Sequence, residues 1–113
     1  MTQTVDHRFE VLAELADTIA ARRHASPEIS YTAKLLSQGI EKCAKKVGEE
    51  AVEVALAAVK GDREHLKLEA ADLFYHLIVL LEASGLPVAD VMGELEKRVG
   101  IGGIVEKSGR KQV

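Results

Sequence analysis

The chain has 113 residues with one cysteine, two prolines and no tryptophan, and each scarcity excludes a class of protein. Because Cys43 is the single cysteine, no intrachain disulfide can form and a zinc site built on several thiolates is excluded. No histidine and carboxylate pair that would activate a thiol stands near Cys43, so we expect a partly buried, unreactive side chain. The scarcity of proline and the lack of strand-like alternation favour helices over strands.

Long apolar runs are missing as well. The longest such stretch, Leu73 to Leu81, is interrupted by His76 and falls short of the ~18–20 residues that span a bilayer. The N-terminal residues have neither the basic start nor the apolar centre of a signal peptide, so a cytoplasmic protein with no membrane partner is expected. The formal net charge of −3 argues against nucleic acid as a partner, because phosphate binding needs a basic face.

Good helix formers dominate the sequence, and their periodicity predicts an all-α bundle of four main helices and a short one. The predicted main helices run from about His7 to His24, Ile40 to Lys60, Arg63 to Ser84 and Pro87 to Val99, and the short helix from Tyr31 to Gln38. We expect residues 1–100 to form one domain. Residues 101–113 are glycine-rich and end with basic residues, so a flexible C-terminal tail is predicted.

Apart from one polar stripe, the helix predicted after Asp62 is almost entirely apolar between Leu66 and Leu81. Such a helix is expected to be buried on nearly every side. A chain this short has little material with which to cover it, so the sequence predicts a homodimer that shares its core.

Three carboxylates, Glu49, Glu50 and Glu53, occupy an arc of about 100° on the helix predicted from Ile40 to Lys60. Lys42 and Lys46 fall within the same arc. Taken alone, this pattern has two interpretations. It is typical of a solvated face with ion pairs between successive turns, and it equally suits a metal site whose neighbouring lysines bind phosphate groups.

A second acidic pair, Glu69 and Asp72, lies on the apolar helix, on one polar stripe with His65 and His76. Buried carboxylates cost several kcal/mol or more unless they are paired or bind a metal. Either a lysine or arginine from another helix neutralises them, or they hold a divalent cation together with carboxylates of the preceding helix.

An all-oxygen ligand set favours Mg²⁺, with Mn²⁺ possible. A di-iron site would need Glu-x-x-His pairs on two helices, and the residues three positions after Glu50 and Glu69 are Glu53 and Asp72. We expect His76 to be a packing or hydrogen-bonding residue and not a ligand.

The segments Lys-Val-Gly-Glu-Glu-Ala-Val-Glu (46–53) and Glu-Ala-Ala-Asp-Leu-Phe-Tyr-His (69–76) resemble the Glu-x-x-Glu…Glu-x-x-Asp signature of the MazG-like all-α nucleotide pyrophosphohydrolases. Ser-Tyr-Thr-Ala-Lys-Leu-Leu (30–36), Gly39 and the apolar stretch Leu77–Leu81 are similar to the phosphoribosyl-ATP pyrophosphohydrolase family within that superfamily.

The resemblance implies a helical dimer that hydrolyses phosphoribosyl-ATP, a small-molecule nucleotide substrate, in the second step of histidine biosynthesis. It implies that Glu50, Glu53, Glu69 and Asp72 bind Mg²⁺, and that Glu49 is a further ligand or the base. The substrate-binding candidates that follow from it are Tyr31, Thr32, Lys34, Lys42 and Lys46. Which of the carboxylates, Glu49 or Glu50 among them, acts on the attacking water is left open by their spacing.

Two alternatives remain at this point. The same metal site suits a house-cleaning pyrophosphatase of other nucleoside triphosphates. A non-catalytic helical dimer whose acidic residues form structural salt bridges is the other.

Overall fold

The computed structural model describes residues 7–100, and the fold over this range is all-α, as predicted. The helices are α1 (Val11–Ala21), α2 (Tyr31–Ser37), α3 (Ile40–Lys60), α4 (Arg63–Ala83) and α5 (Val88–Val99), with 3₁₀ turns at His7–Glu10 and Arg22–His24. These bounds differ from the predicted ones by a residue or two, apart from the first helix, where 3₁₀ turns flank α1. The tail predicted at 101–113 lies outside the described residues.

A hairpin of the two longest helices forms the centre of the bundle. Gly61 ends α3 in the left-handed conformation, with φ of 74°, which glycine adopts without steric cost. Asp62 begins α4 as its N-cap, since its Oδ1 accepts a hydrogen bond of 3.0 Å from the His65 amide. Because this connection is so short, α4 returns along α3, and most interhelical contacts join these two helices.

The core lies where α1, α2 and α3 meet α4. Its buried residues are Ile19, Leu35, Cys43, Ile78 and Val79. Cys43 is 1% exposed, and its thiol donates a hydrogen bond of 3.4 Å to the Leu35 carbonyl oxygen. Burial raises the pKa of this thiol, against a smaller lowering by a backbone hydrogen bond. The buried position of Cys43 therefore agrees with the unreactive side chain expected from the sequence.

The single chain does not bury α4 on nearly every side, and the sequence prediction assigned the rest of that burial to a homodimer. His76, Ile78 and Val79 are buried, but Phe74 is 58% exposed and Leu77 is 40% exposed. An apolar helical pattern indicates that a face needs covering and does not indicate which chain covers it.

Within residues 7–100, no single helix has the length and apolar character of a membrane span. Helices α4 and α5 meet the length and composition of a broken span only when taken together, across a bend of 117°.

The C-terminal end of α4 is fastened to the turn after α1 by one arginine. Arg23 Nε donates to the Glu82 carboxylate at 2.8 Å, and its Nη2 donates to the Glu82 backbone carbonyl at 2.6 Å. A positive charge at a helix C-terminus also interacts favourably with the helix dipole. This contact fixes α1 relative to the helix that carries Glu69 and Asp72.

Replacement of Arg23 by alanine should therefore lower the free energy of unfolding by about 1 kcal/mol, because a partly screened ion pair and a backbone hydrogen bond are lost. Lys67→Ala is the matched control, since it removes the exposed Lys67–Glu64 pair within one turn of α4. It should cost less than about 0.5 kcal/mol. Urea unfolding curves measure both values, and equal losses would contradict the role given to Arg23.

Candidate active site

Three carboxylates converge between α3 and α4. Glu50 comes from α3 and Glu69 and Asp72 come from α4, and one ligand oxygen from each lies within 4.8 Å of the others. Glu50 and Glu69 are partly buried, whereas Asp72 is exposed. The arrangement fits a divalent cation, because hard cations prefer several carboxylate oxygens.

No lysine or arginine among residues 7–100 lies within ion-pair distance of Glu50, Glu53, Glu69 or Asp72. The Nε2 atom of His65 is 3.9 Å from a Glu69 carboxylate oxygen. The interpretation in which a basic residue of another helix neutralises the acidic pair therefore finds no support in the described residues.

The pKa of the Glu69 carboxyl group is raised, as expected for an acid with no lysine or arginine partner among residues 7–100. Its side chain is 15% exposed. Burial raises the pKa of this carboxyl group first and the charge of Glu50 next, His65 lowers it, and Glu53 and Asp72 raise it further. A bound cation would favour the ionised form and so relieve the repulsion among the carboxylates.

The two other predicted acidic residues of α3 lie beside this group and not within it. Glu53 is exposed, one turn beyond Glu50, and close enough for its charge to act on Glu69. Glu49 is half exposed and forms an ion pair of 3.4 Å with Lys46 Nζ.

Lys46 forms an ion pair with Glu49 and interacts electrostatically with Tyr31 of α2. The Tyr31 hydroxyl group is the largest cause that raises the pKa of Lys46; desolvation opposes it, and Glu49 and Glu50 add to it. The Lys46 ammonium group therefore lies near groups from both α2 and α3.

The first turn of α2 is tied to α4 through Tyr31 and Thr32. The Tyr31 hydroxyl is 3.2 Å from His76 Nε2, and the Thr32 hydroxyl hydrogen-bonds with the Tyr75 hydroxyl. Ser30 begins α2 as its N-cap, because its hydroxyl oxygen accepts from the Ala33 amide at 3.1 Å. These contacts place Tyr31 and Thr32, two of the three predicted substrate-binding residues of α2, beside the carboxylate helix.

The remaining predicted lysines are at the surface. Lys34 is exposed and lines a shallow groove with Tyr31 and with residues of the loop before α2. Lys42 is exposed on α3. A separate apolar groove between α1, α4 and α5, lined by residues such as Leu12, Ile78 and Met92, contains none of the clustered carboxylates.

Tyr75 was missed by sequence reasoning, and so was the identity of the residue that hydrogen-bonds with the His76 side chain, Tyr31. Helical spacing relates residues on one helix, whereas Tyr31 and His76 are 45 positions apart on different helices. The only signal for His76 was its position one turn after Asp72.

Fold and site together define an all-α protein whose two longest helices bring together a carboxylate group suited to a divalent cation. Residues 12–99 match the sequence profile of the family described as phosphoribosyl-ATP pyrophosphohydrolase. The chain belongs to this family.

Curated relatives agree with the profile. A protein of Dinoroseobacter shibae is 59% identical over 102 residues, which cover 90% of this chain and 100% of the relative. A protein of Paracoccus denitrificans is 58% identical over 88% of this chain and 93% of its own length, and one of Methylobacterium radiotolerans is 56% identical over 88% and 94%. Each of the three is named phosphoribosyl-ATP pyrophosphatase.

Mg²⁺ or Mn²⁺ should stabilise the fold, because a ligand that binds only the folded state shifts the unfolding equilibrium. At ten times its dissociation constant the cation should add about 1.4 kcal/mol and raise Tm by several degrees. Thermal unfolding with the chloride salts and with EDTA measures the shift.

Glu69→Gln should abolish most of this shift, since it removes a charge from the cluster. Glu41→Gln is the control, because Glu41 is an exposed acid in the first turn of α3 and lies outside the cluster. A wild-type protein that shows no shift, or a Glu69 variant that keeps all of it, would refute the cation site.

Proposed function

We propose that this chain hydrolyses phosphoribosyl-ATP to phosphoribosyl-AMP and pyrophosphate with Mg²⁺, in the second step of histidine biosynthesis. The observation that carries the proposal is the convergence of Glu50, Glu69 and Asp72 without a neutralising lysine or arginine among residues 7–100. Membership of the family and the names of the relatives supply the substrate.

In this proposal Glu50, Glu69 and Asp72 hold the cation, and Glu53 joins them from the next turn of α3. Mn²⁺ would suit the same oxygen donors. When bound, the cation would neutralise polyphosphate charge and make the α phosphorus more electrophilic.

Glu49 is our candidate for the base, because it lies next to Glu50 and outside the ligand group. Its carboxylate takes a proton from water while the water oxygen attacks the α phosphorus. The bond from the α phosphorus to the bridging oxygen breaks, and pyrophosphate leaves with the electron pair. Lys46, which pairs with Glu49 at 3.4 Å, is placed to bind the negative charge that develops on this leaving group.

Tyr31, Thr32 and Lys34 form the α2 side of the proposed site. Lys34 and Lys42 are exposed, as phosphate-binding side chains must be before substrate arrives. A cytoplasmic location remains a prediction of the sequence.

Purified protein with Mg²⁺ should release pyrophosphate from phosphoribosyl-ATP far faster than from ATP or deoxynucleoside triphosphates, and EDTA should stop the reaction. Glu50→Gln and Asp72→Asn should each lower kcat by at least about 100-fold, because a metal ligand is lost, while circular dichroism stays helical. Glu41→Gln serves as the control with unchanged activity.

Each other outcome redirects the assignment. Preference for the deoxynucleoside triphosphates would favour a house-cleaning pyrophosphatase with the same metal site. No release from any substrate would favour the non-catalytic helical protein.

We also infer that the chain forms a homodimer. Exposed apolar residues follow one stripe of α3 at Val52, Leu56 and Val59, and one side of α4 at Phe74 and Leu77. Several exposed apolar side chains on one helix face are typical of an interface. A second copy of the chain is the occupant that the apolar sequence of α4 predicts.

Light scattering after gel filtration should therefore give twice the chain mass of 12.2 kDa. Phe74→Glu should shift the protein toward the monomer, since an unpaired charge in an apolar interface is costly. Val99→Glu is the control, because Val99 is 88% exposed at the end of α5, on a different helix from both stripes. A monomeric wild-type protein would overturn the inference.

A further inference from the structure

His76 is a buried polar residue that the proposed reaction does not use. It is 6% exposed. Its Nδ1 is 2.8 Å from the Asp72 backbone carbonyl oxygen, and its Nε2 is 3.2 Å from the Tyr31 hydroxyl. A carbonyl oxygen can only accept, so Nδ1 carries the proton. In the neutral ring Nε2 is then the acceptor, and the Tyr31 hydroxyl donates to it.

The rings around this hydrogen bond pack closely. Tyr31 stacks on Tyr75 with centroids 6.2 Å apart and an interplanar angle of 17°, and Tyr75 meets the edge of His76 at 5.0 Å and 88°. Both tyrosines of the chain are in this cluster. The aromatic cluster therefore joins the first turn of α2 to the middle of α4.

Helix α2 depends on these contacts for its position. It has seven residues, and a helix so short is not stable by itself in water. The ring of His76 is fixed by the backbone of Asp72, whose carboxylate belongs to the carboxylate cluster. A short chain of contacts thus leads from the carboxylate cluster through His76 to Tyr31.

We propose that His76 is a positioning residue: by accepting the Tyr31 hydrogen bond, it holds the substrate-binding turn of α2 in register with the carboxylates of α4. The inference rests on the proposed function, since it takes α2 as one side of the substrate site. His76 acts through Tyr31 and touches neither the substrate nor the cation.

A double-mutant cycle with a rescue variant tests the proposal. Tyr31→Phe keeps the ring and removes the donor. His76→Asn keeps an amide near the Nδ1 position and loses the acceptor, whereas His76→Gln carries an amide oxygen to the Nε2 position. His24→Asn is the matched control, the same substitution at an exposed histidine.

Tyr31→Phe and His76→Asn should each lower kcat/KM for phosphoribosyl-ATP about 10-fold, the effect of one lost hydrogen bond. The loss should appear mainly in KM, because α2 binds the substrate in the ground state and the transition state alike. The double variant should also lose only about 10-fold, since both changes break the same bond. His76→Gln should stay within about threefold of wild type, as should His24→Asn.

Several results would overturn the inference. A loss of about 100-fold in the double variant would mean that the two residues act independently. Equal losses for His76→Gln and His76→Asn would remove the role of the Nε2 acceptor. A lower Tm with unchanged KM would indicate that His76 only stabilises the fold. If His76→Asn fails to fold, wild-type kinetics in Tyr31→Phe, whose ring is retained, would overturn it as well.

A binding measurement separates this test from the proposed function. If the wild-type protein does not hydrolyse phosphoribosyl-ATP, the proposed function fails. Calorimetric titration with inorganic pyrophosphate and Mg²⁺ should still show weaker binding in Tyr31→Phe, His76→Asn and the double variant, and binding close to wild type in His76→Gln and His24→Asn. If the wild-type protein is active and neither kinetics nor titration shows the pattern, the positioning role alone fails. The Mg²⁺-dependent rise in Tm should persist in every variant, because none removes a clustered carboxylate.

Discussion

The close approach of Glu50, Glu69 and Asp72 is the constraint on which the rest of the structure depends. Ligand oxygens from these residues lie within 4.8 Å of one another, and like charges at such distances repel. Packing elsewhere must offset this repulsion. The α3–α4 hairpin does so through apolar contacts about Cys43, Ala57 and Val79, which are at most 1% exposed. The raised pKa of Glu69 shows the same repulsion, since burial and then the charge of Glu50 disfavour its ionised form. The close approach of three negative charges is unfavourable without a cation, and the same concentration of negative charge would attract one.

The site also requires that α2 is held at a fixed distance from the carboxylate cluster. The free energy that orders a seven-residue helix has to come from its surroundings. Here it comes from the Ser30 cap, from Ala33 and Leu35 in the core, and from the Tyr31 and Thr32 side chains bound to α4. The polar contacts of α2 face the carboxylate helix. A substrate that spans α2 and the carboxylates would therefore meet two sides that are already in register, which lowers the ordering cost of binding.

Much of the fold follows from local patterns in the sequence. Gly61 and Asp62 identify the turn between α3 and α4, because one adopts positive φ and the other caps the next helix. The helical wheel also brings Glu69 and Asp72 onto one stripe. It does not give the depth of that stripe below the surface, and Asp72 is exposed in the single chain. The Tyr31–His76 pair was equally out of reach, because periodicity within a helix carries no information on which residues of two helices meet.

Helix α4 carries residues of the carboxylate cluster, the contacts to α2 and an exposed apolar side within one short segment. Successive side chains of an α-helix are rotated by about 100°. Asp72 therefore points to the carboxylate cluster, Tyr75 and His76 to α2, and Phe74 and Leu77 to the exposed apolar side. These side-chain directions are maintained only if α4 does not rotate about its axis. Ile78 and Val79, which are 4% and 0% exposed, prevent such rotation because they fill the core. Rotation of α4 by a single position would displace the carboxylates, the α2 contacts and the apolar face together. The apolar core and the chemistry of this chain are for that reason properties of the same helix.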